Sequence, residues 1–260
     1  MTGCYRIPAI KTEIVGVLTN KYMTDAIRGA GRPEMTHMLE VMIDQLAQEL
    51  GMDPIEVRRK NFIPKDAFPY ETPYGITYDS GDYAGTLDRA VEIVDMGAFR
   101  AEQAELRKQG ILRGIGFSTY TEICGLAPSR AVGPSGFGLG IGLYESALVR
   151  VHPTGSVTVY TGASPHGQGH ETGFAQIVAD RLGVDPQVVA VMHGDTATGP
   201  MGLGTYGSRS LAIGGVACAQ AAEQLAQKCR EIVAHNLEAA SEDIEVEGGR
   251  FVVSGSPESG

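Results

Sequence analysis

The sequence predicts a mixed α and β fold of the α+β class, with mixed sheets and long helices, divided into two subdomains at residues 1–111 and 112–260. Three observations lead there. Apolar residues recur at helical spacing in the first half. A change of composition near Leu112 introduces short runs rich in β-branched residues. Beyond it, strand and helix patterns alternate across two glycine-rich loops. At 260 residues the chain is long enough for two modest cores.

Residues 10–18, Ile-Lys-Thr-Glu-Ile-Val-Gly-Val-Leu, read as a strand. From Pro33 to Leu50 the set Met35, Met38, Leu39, Met42, Ile43, Leu46 and Leu50 marks a helix, stopped by Gly51. Asp53-Pro54 supplies the cap and first residue of a short helix running to about Lys60. Residues 61–82 carry prolines at 64, 69 and 73 and read as an irregular loop. Asp82 caps a further helix through about Gln109, closed by Gly110. Strands are expected at Gly114–Tyr120 and Gly138–Val151, and the stretch 148–160 reads as a hairpin turning at Pro153 to Ser156. A strand to Thr161, a helix from about His170 to Leu182, a strand Val188–His193 and a helix from about Ser208 to Leu237 follow. A second hairpin over Ile244–Val253, around Gly248-Gly249, completes the pattern.

Composition narrows the function classes. Acidic residues outnumber basic ones 31 to 21, and a net charge of −10 repels a nucleic-acid backbone where no basic patch opposes it. No apolar run approaches the roughly 18 residues of a membrane span, and the N-terminus lacks a secretory pattern, so a cytoplasmic setting is expected. Cys4, Cys124, Cys218 and Cys229 are widely spaced without a CxxC pair, which argues against a zinc site or a disulfide framework. Glycine, at 35 of 260 residues, concentrates at 29–31, 133–142, 162–169 and 199–215. Those clusters are where positive φ or close approach to a ligand gives glycine a purpose.

Two of them, Thr161-Gly-Ala-Ser-Pro-His-Gly-Gln-Gly-His170 and Gly202-Leu-Gly-Thr-Tyr-Gly-Ser-Arg-Ser210, join a strand to a helix. Such a junction traps anions, because small residues admit the ligand while the first helical turn presents unpaired N–H groups and a partial positive charge. Two traps in one chain suggest a large phosphorylated cofactor. The first loop adds Ser164, His166, Gln168 and His170, and the second Thr205, Tyr206, Ser208, Arg209 and Ser210, with Ser208 or Ser210 expected at the helix N-cap. His166 and His170 stand four apart without the glutamate of HExxH, so direct metal ligation by protein is not expected. No acidic residue follows at Rossmann spacing, and no GxxxxGK[ST] string occurs. A third loop, Asp25-Ala-Ile-Arg-Gly-Ala-Gly-Arg-Pro-Glu34, carries Arg28 and Arg32, planar forks able to pair with surface acids but, with glycines beside them, read here as gripping phosphate or oxo groups.

Taken together, Ala26-Ile-Arg-Gly-Ala-Gly-Arg-Pro-Glu34, Gly167-Gln-Gly-His-Glu-Thr172 and Gly194-Asp-Thr through Gly204-Thr-Tyr-Gly-Ser-Arg-Ser210 closely resemble the molybdenum-binding large subunit of the xanthine dehydrogenase, aldehyde oxidase and aerobic carbon monoxide dehydrogenase family. Leu50-Gly-Met-Asp-Pro, Arg58-Arg-Lys-Asn-Phe-Ile-Pro64 and Tyr78-Asp-Ser-Gly-Asp-Tyr83 extend the resemblance over nearly all of the chain, with the carbon monoxide dehydrogenase branch matching best. The resemblance implies a molybdopterin-binding fold. The cofactor would be molybdenum held by molybdopterin, extended by a cytosine dinucleotide. Arg28 and Gly29 would lie near the metal, with Gly167, Gln168, Gly169, His170, Thr205, Tyr206, Gly207, Ser208, Arg209 and Ser210 on the cofactor. It further implies hydroxylation of an aldehyde, N-heterocycle or carbon monoxide-type substrate with oxygen from water. Partners would be an iron–sulfur small subunit, a medium subunit carrying FAD and the remainder of the large subunit, in a dimer of heterotrimers.

Two departures qualify that picture. The family's carbon monoxide oxidisers of the best-defined type carry a copper-binding cysteine in the arginine loop, where this chain has Gly29. The family's catalytic glutamate lies in a late Gly-x-Gly-Glu motif, and no such string occurs here, so the chain reads as an internal or truncated piece. Two readings therefore stand side by side: a segment of a working hydroxylase subunit, and a non-catalytic cofactor-binding module without its general base.

Overall fold

The computed structural model describes residues 2–25, 27–122, 124–125 and 143–256, and the chain forms two compact units, Met1–Glu122 and Ile123–Gly260. The glycine cluster at 133–142 and the expected start of a strand at Gly138 lie outside the described residues.

In the first unit α1 spans Arg32–Glu49 and ends on Gly51 at φ 61°, where the Met52 amide donates back to the Ala47 carbonyl at 2.9 Å. Glycine takes this left-handed position without the cost a Cβ would add. Helix α2, Pro54–Asn61, starts as expected, with the Asp53 carboxylate accepting from the Ile55 amide at 2.8 Å. The expected loop at 61–82 contains a small hairpin of β1 (Tyr70–Glu71) and β2 (Thr77–Tyr78). The expected single helix through Gln109 is two, α3 (Tyr83–Val94) and α4 (Met96–Lys108). Asp95 breaks it, turning to φ 47° and using its carboxylate to accept from the Ala98 amide at 3.1 Å. An aspartate that caps a new helix competes with continuing the old one.

Cys4, Tyr5, Ile55, Phe62, Leu87 and Met96 form the core of this unit. Beside it lies a buried ion pair that hydrophobic periodicity does not reveal. The Arg58 side chain on α2 is wholly enclosed, and its Nε and Nη2 donate to Glu40 Oε2 on α1 at 3.1 and 2.9 Å. Glu40 also accepts from Tyr5 Oη at 2.6 Å, Thr119 Oγ1 at 2.8 Å and the Thr119 amide at 3.0 Å. Arg58 Nη1 reaches Asp44 at 2.7 Å and Nη2 the Phe117 carbonyl at 3.2 Å. Every lone pair of the carboxylate is in use, which is the condition under which a buried pair is tolerated. On α1 and its cap, Glu40 and Ala47 face inward while Met38, Met42, Leu46 and Leu50 of the apolar stripe are exposed.

The same pair explains one missing strand. The expected strand Gly114–Tyr120 does not form, because the Phe117 carbonyl and Thr119 amide are taken by Arg58 and Glu40 rather than by a ladder. The expected strand at 10–18 is also absent, and Ile14, Val15, Val17 and Leu18 are exposed. A β-branched composition favours a strand only where another strand pairs with it, and no described strand pairs with residues 10–18.

The second unit contains the alternating pattern. β3 (Ala147–Val151) and β4 (Val157–Thr161) form an antiparallel hairpin turning at 152–156, and β5 (Val189–Met192) lies parallel to β4 on its other side. The strand expected from Gly138 thus starts at Ala147 in its described part. α5, His170–Leu182, connects β4 to β5. A five-residue π-helical turn, Ser210–Gly214, leads into α6, Gly215–Leu237. β6 (Ile244–Glu247) and β7 (Arg250–Val253) make the closing hairpin.

Val157 and Val159 pack with Phe174, Val178 and Leu182 of α5 and Cys218, Ala222 and Ala226 of α6 in one core. The three small residues, four apart, let α6 approach closely. Gly214 and Gly215 continue that approach at its start, where an added Cβ would stand 3.1 Å from Phe174 and 3.0 Å from Ile177. Cys4 and Cys218 are buried, and desolvation pushes both thiols up to about 12, so neither is a nucleophile at neutral pH. Among the described residues no helix is long and apolar enough to cross a membrane.

Candidate functional site

Parallel pairing of β4 with β5 places their carboxyl ends side by side, so the loops that follow Thr161 and Met192 emerge at one edge of the sheet. This is the edge where open α/β sheets hold ligands. The loops also meet directly. Gly162 and Gly202 lie backbone to backbone, and a Cβ on either would overlap the other's Cα. Ser164 and Gly194 are neighbours as well, with 3.8 Å between Ser164 Oγ and the place of a Gly194 Cβ.

In the first loop Gly167 has φ 105° and Gly169 φ 78°, each with open space where a Cβ would be. Conformation, rather than crowding by the fold, sets the need for glycine there. Gln168 Oε1 accepts from the His166 amide at 2.6 Å, which closes the loop on itself and engages the carbonyl end of the side chain. Gly169 stands at the N-cap of α5 with no capping side chain, and within the first turn the Glu171 carboxylate takes its own amide. His170 is 8% exposed and stacks on Phe174 at 5.2 Å, yet its Nδ1 has no partner among the described residues. Burial pulls the His170 imidazole below its ordinary value, with the neighbouring His193 and His166 adding to the effect against an opposing contribution from Glu171. Glu171 accepts from or pairs with His193 Nε2 at 2.7 Å, and its carboxyl is held below the usual range first by a backbone amide and then by that histidine.

The second loop holds a more unusual arrangement. Gly204 and Gly207 have φ 76° and 62°, and Ser208, which is not glycine, has φ 51°. Its carbonyl accepts from the Gly125 amide at 2.9 Å. The cap position before the π turn is Arg209, without a side-chain cap, and Ser210 Oγ turns back to donate to Thr205 Oγ1 at 3.1 Å. The expectation of a serine N-cap is therefore corrected: the left-handed turn at Ser208 carries the chain past the capping geometry. The Arg209 side chain is wholly buried. Its Nη1 donates to the Gly204 carbonyl at 3.0 Å and pairs with Glu145 at 3.4 Å, Nη2 donates to the Tyr144 carbonyl, and the guanidinium lies 5.0 Å from the Tyr206 ring centre.

Glu145, just before β3, escaped the motif reading because it stands outside both glycine loops. Its side chain is completely enclosed, and burial raises its carboxyl while Arg209 and the Leu203 and Ser146 amides oppose the rise. In the sequence its only signal is a lone acid beside a run of apolar residues.

The arginine loop belongs to the first unit. Gly29, Ala30 and Gly31 take φ 100°, 46° and 91° in succession, and the Pro33 ring leaves no room for a Cβ on Gly29. Arg28 is exposed, whereas Arg32 pairs with Glu122, the surface-acid reading of that residue. Among the described residues no cluster of metal-ligating side chains occurs. An open polar cleft of about 450 Å³, lined by Asp180, Arg181, Glu223 and Arg230, lies at the far end of α5 from the loops. In it Glu223 pairs with Arg230 at 3.3 Å and Arg181 at 4.0 Å.

An edge built from two glycine turns, uncapped helix amides and an orphaned imidazole nitrogen suits a ligand with phosphate oxygens and neutral polar edges. Comparison with known proteins identifies the family. A family model described as a molybdopterin cofactor-binding domain matches residues 89–259, and another of the same description matches residues 1–62. The chain belongs to the molybdopterin cofactor-binding domain family.

The carbon monoxide dehydrogenase large chain of Hydrogenophaga pseudoflava is 45% identical over 98% of this chain, and the nicotine 6-hydroxylase large subunit of Paenarthrobacter nicotinovorans is 36% identical over 99%. The chain spans 32% and 31% of those relatives. Among solved structures, the Cu,Mo-CO dehydrogenase in its carbon monoxide reduced state superposes with a TM-score of 0.73 at 42% identity, over 88% of this chain and 29% of that one. Quinoline 2-oxidoreductase from Pseudomonas putida 86 gives 0.72 at 39% identity, over 85% and 28%.

Two outcomes follow from the loop geometry. Gly202→Ala forces backbone and the buried Glu145 apart and costs about 3 kcal/mol or more, whereas Gly204→Ala, with open space around it, costs about 1–2 kcal/mol from its left-handed φ alone; urea unfolding of both variants checks the order. His170 in the folded chain titrates below its ordinary 6.5, so the unfolded chain takes up a proton first as pH falls. Its contribution is thus fully present above about pH 6.5 and is lost as pH drops through that value toward the folded pKa. His170→Gln flattens that part of the decline in unfolding free energy between pH 7.5 and 5.5.

Proposed function

We propose that this chain is the cofactor-binding part of a molybdenum hydroxylase large subunit and that its two glycine loops hold molybdopterin in its cytosine dinucleotide form. The observation that carries the reading is the meeting of both loops at one sheet edge, with donors and an orphaned His170 Nδ1. When bound, the group supplies two-electron oxidation of a substrate carbon, with oxygen drawn from water.

The residues of this chain bind and orient it. Gly167, Gln168 and Gly169 admit the ligand and offer backbone N–H groups with the Gln168 amide, and His170 adds an imidazole nitrogen at the floor. Thr205, Tyr206, Gly207 and Ser208 form the opposite lip, with Ser210 bracing Thr205 and Arg209 bracing the loop from behind. Arg28 and Gly29 are assigned to the metal end by motif, and Gly29 offers no thiol to hold copper there. Residues 1–111 would contribute the arginine loop and residues 112–260 the two glycine loops. The assembly would include the remainder of the large subunit, an iron–sulfur subunit and an FAD subunit as a dimer of heterotrimers in the cytoplasm. Its substrate would be an aldehyde, an N-heterocycle or a carbon monoxide-type molecule.

A second reading, a cofactor-binding module without turnover of its own, is favoured by the lack of a Gly-x-Gly-Glu string and hence of a candidate general base. One experiment tests both. Protein purified from cells that make the cofactor is analysed for molybdenum, for pterin and for cytidine monophosphate released by acid. The proposal expects all three in near-equal amounts, and Gln168→Ala to lower occupancy by about tenfold, the worth of one or two hydrogen bonds. Cofactor without oxidation of any substrate selects the second reading, and protein free of molybdenum and pterin overturns both.

A further inference from the structure

We propose that Glu145 is a positioning residue which, with Arg209, clamps the second glycine loop into the shape that presents its donors at the sheet edge. Glu145 Oε1 accepts from the Leu203 amide at 3.1 Å, and Oε2 faces Arg209 Nη1 at 3.4 Å. One carboxylate therefore holds the loop at its beginning and, through Arg209, near its end. Arg209 completes the closure by donating to the Gly204 carbonyl at 3.0 Å and to the Tyr144 carbonyl beside Glu145 itself.

Three further features agree. Gly202 has no space for a Cβ because Glu145 occupies it, so the glycine at the start of the loop is matched to this carboxylate. Ser208 sits at φ 51°, a conformation a serine holds only when its surroundings enforce it, and it immediately precedes the enclosed Arg209. Both side chains of the pair are completely buried, so their attraction is little screened by solvent or salt. The stiffened segment is Gly202–Ser208, in which Tyr206, Gly207 and Ser208 are exposed and the Tyr206 ring also lies over the Arg209 guanidinium. A loop held open in advance loses less conformational freedom when a ligand arrives. The proposal rests on the cofactor reading only for the purpose of the loop, not for its shape.

Hydrogen exchange on the purified protein tests it, read residue by residue for wild type, Glu145→Gln and Glu145→Asp. The clamp predicts that the amides of residues 202–208 exchange about tenfold faster or more in Glu145→Gln, while those of β4 and the middle of α6 keep their protection. Glu145→Asp, too short to reach both the Leu203 amide and Arg209, falls between the two, and it supplies the measurement if Glu145→Gln does not fold. Unchanged exchange over 202–208 overturns the proposal, as does an equal loss throughout the unit, which is the mark of a purely structural role. Pterin content is measured on the same samples: its absence from wild type counts against the cofactor reading, whereas the exchange pattern alone decides the clamp.

Discussion

The parallel register of β4 and β5 is the constraint on which the second unit depends. Because both strands run the same way, the helix-bound loops after Thr161 and Met192 leave from one edge. Because Gly162 and Gly202 have no side chains, the loops can touch there. Neither condition suffices alone. Antiparallel strands would send the loops to opposite ends, and a side chain at either glycine would force them apart. The Val157, Val159 and Phe174 core beneath them keeps the register from slipping, since a one-residue shift would turn the buried face of β4 outward.

Each unit, taken by itself, encloses one arginine–carboxylate pair and uses it on backbone. Arg58 and Glu40 engage the Phe117 carbonyl and the Thr119 amide, and Arg209 and Glu145 engage the carbonyls of Tyr144 and Gly204 and the amide of Leu203. Irregular backbone is costly to bury unless its polar groups find partners. Arginine, with five donors in a rigid fork, satisfies several carbonyls at once, which lysine does not. The glycine loops can therefore stay irregular, and open toward a ligand, without leaving their inner side unsatisfied. For a chain of net charge −10 the helix amides also matter, because they give an anion a local attraction that the overall charge does not.

Much of this was legible in the sequence, for reasons that can be stated. The helices from Arg32 and Pro54, the hairpin turning at 152–156 and the order β4, α5, β5, α6 follow from caps, glycine stops and short-range periodicity, all of which are local. The elements that failed depend on distant partners. Residues 10–18 have strand composition but pair with no described strand, and residues 114–120 have their backbone diverted to a buried ion pair. The helix broken at Asp95 shows a capping residue ending one helix and starting the next. In the site, glycines and donors announced both loops, whereas Glu145 gave no signal, because its importance lies in a contact with Arg209, 64 residues away.

The central claim is that two loops distant in sequence form one anion-binding edge. The most direct test is to titrate inorganic pyrophosphate into isotope-labelled protein and follow the backbone amides by NMR. The account predicts that Gly167, Gly169, Gly204, Gly207 and Ser208 shift together along a single saturation curve. Shifts confined to one loop, or two independent curves, would contradict it.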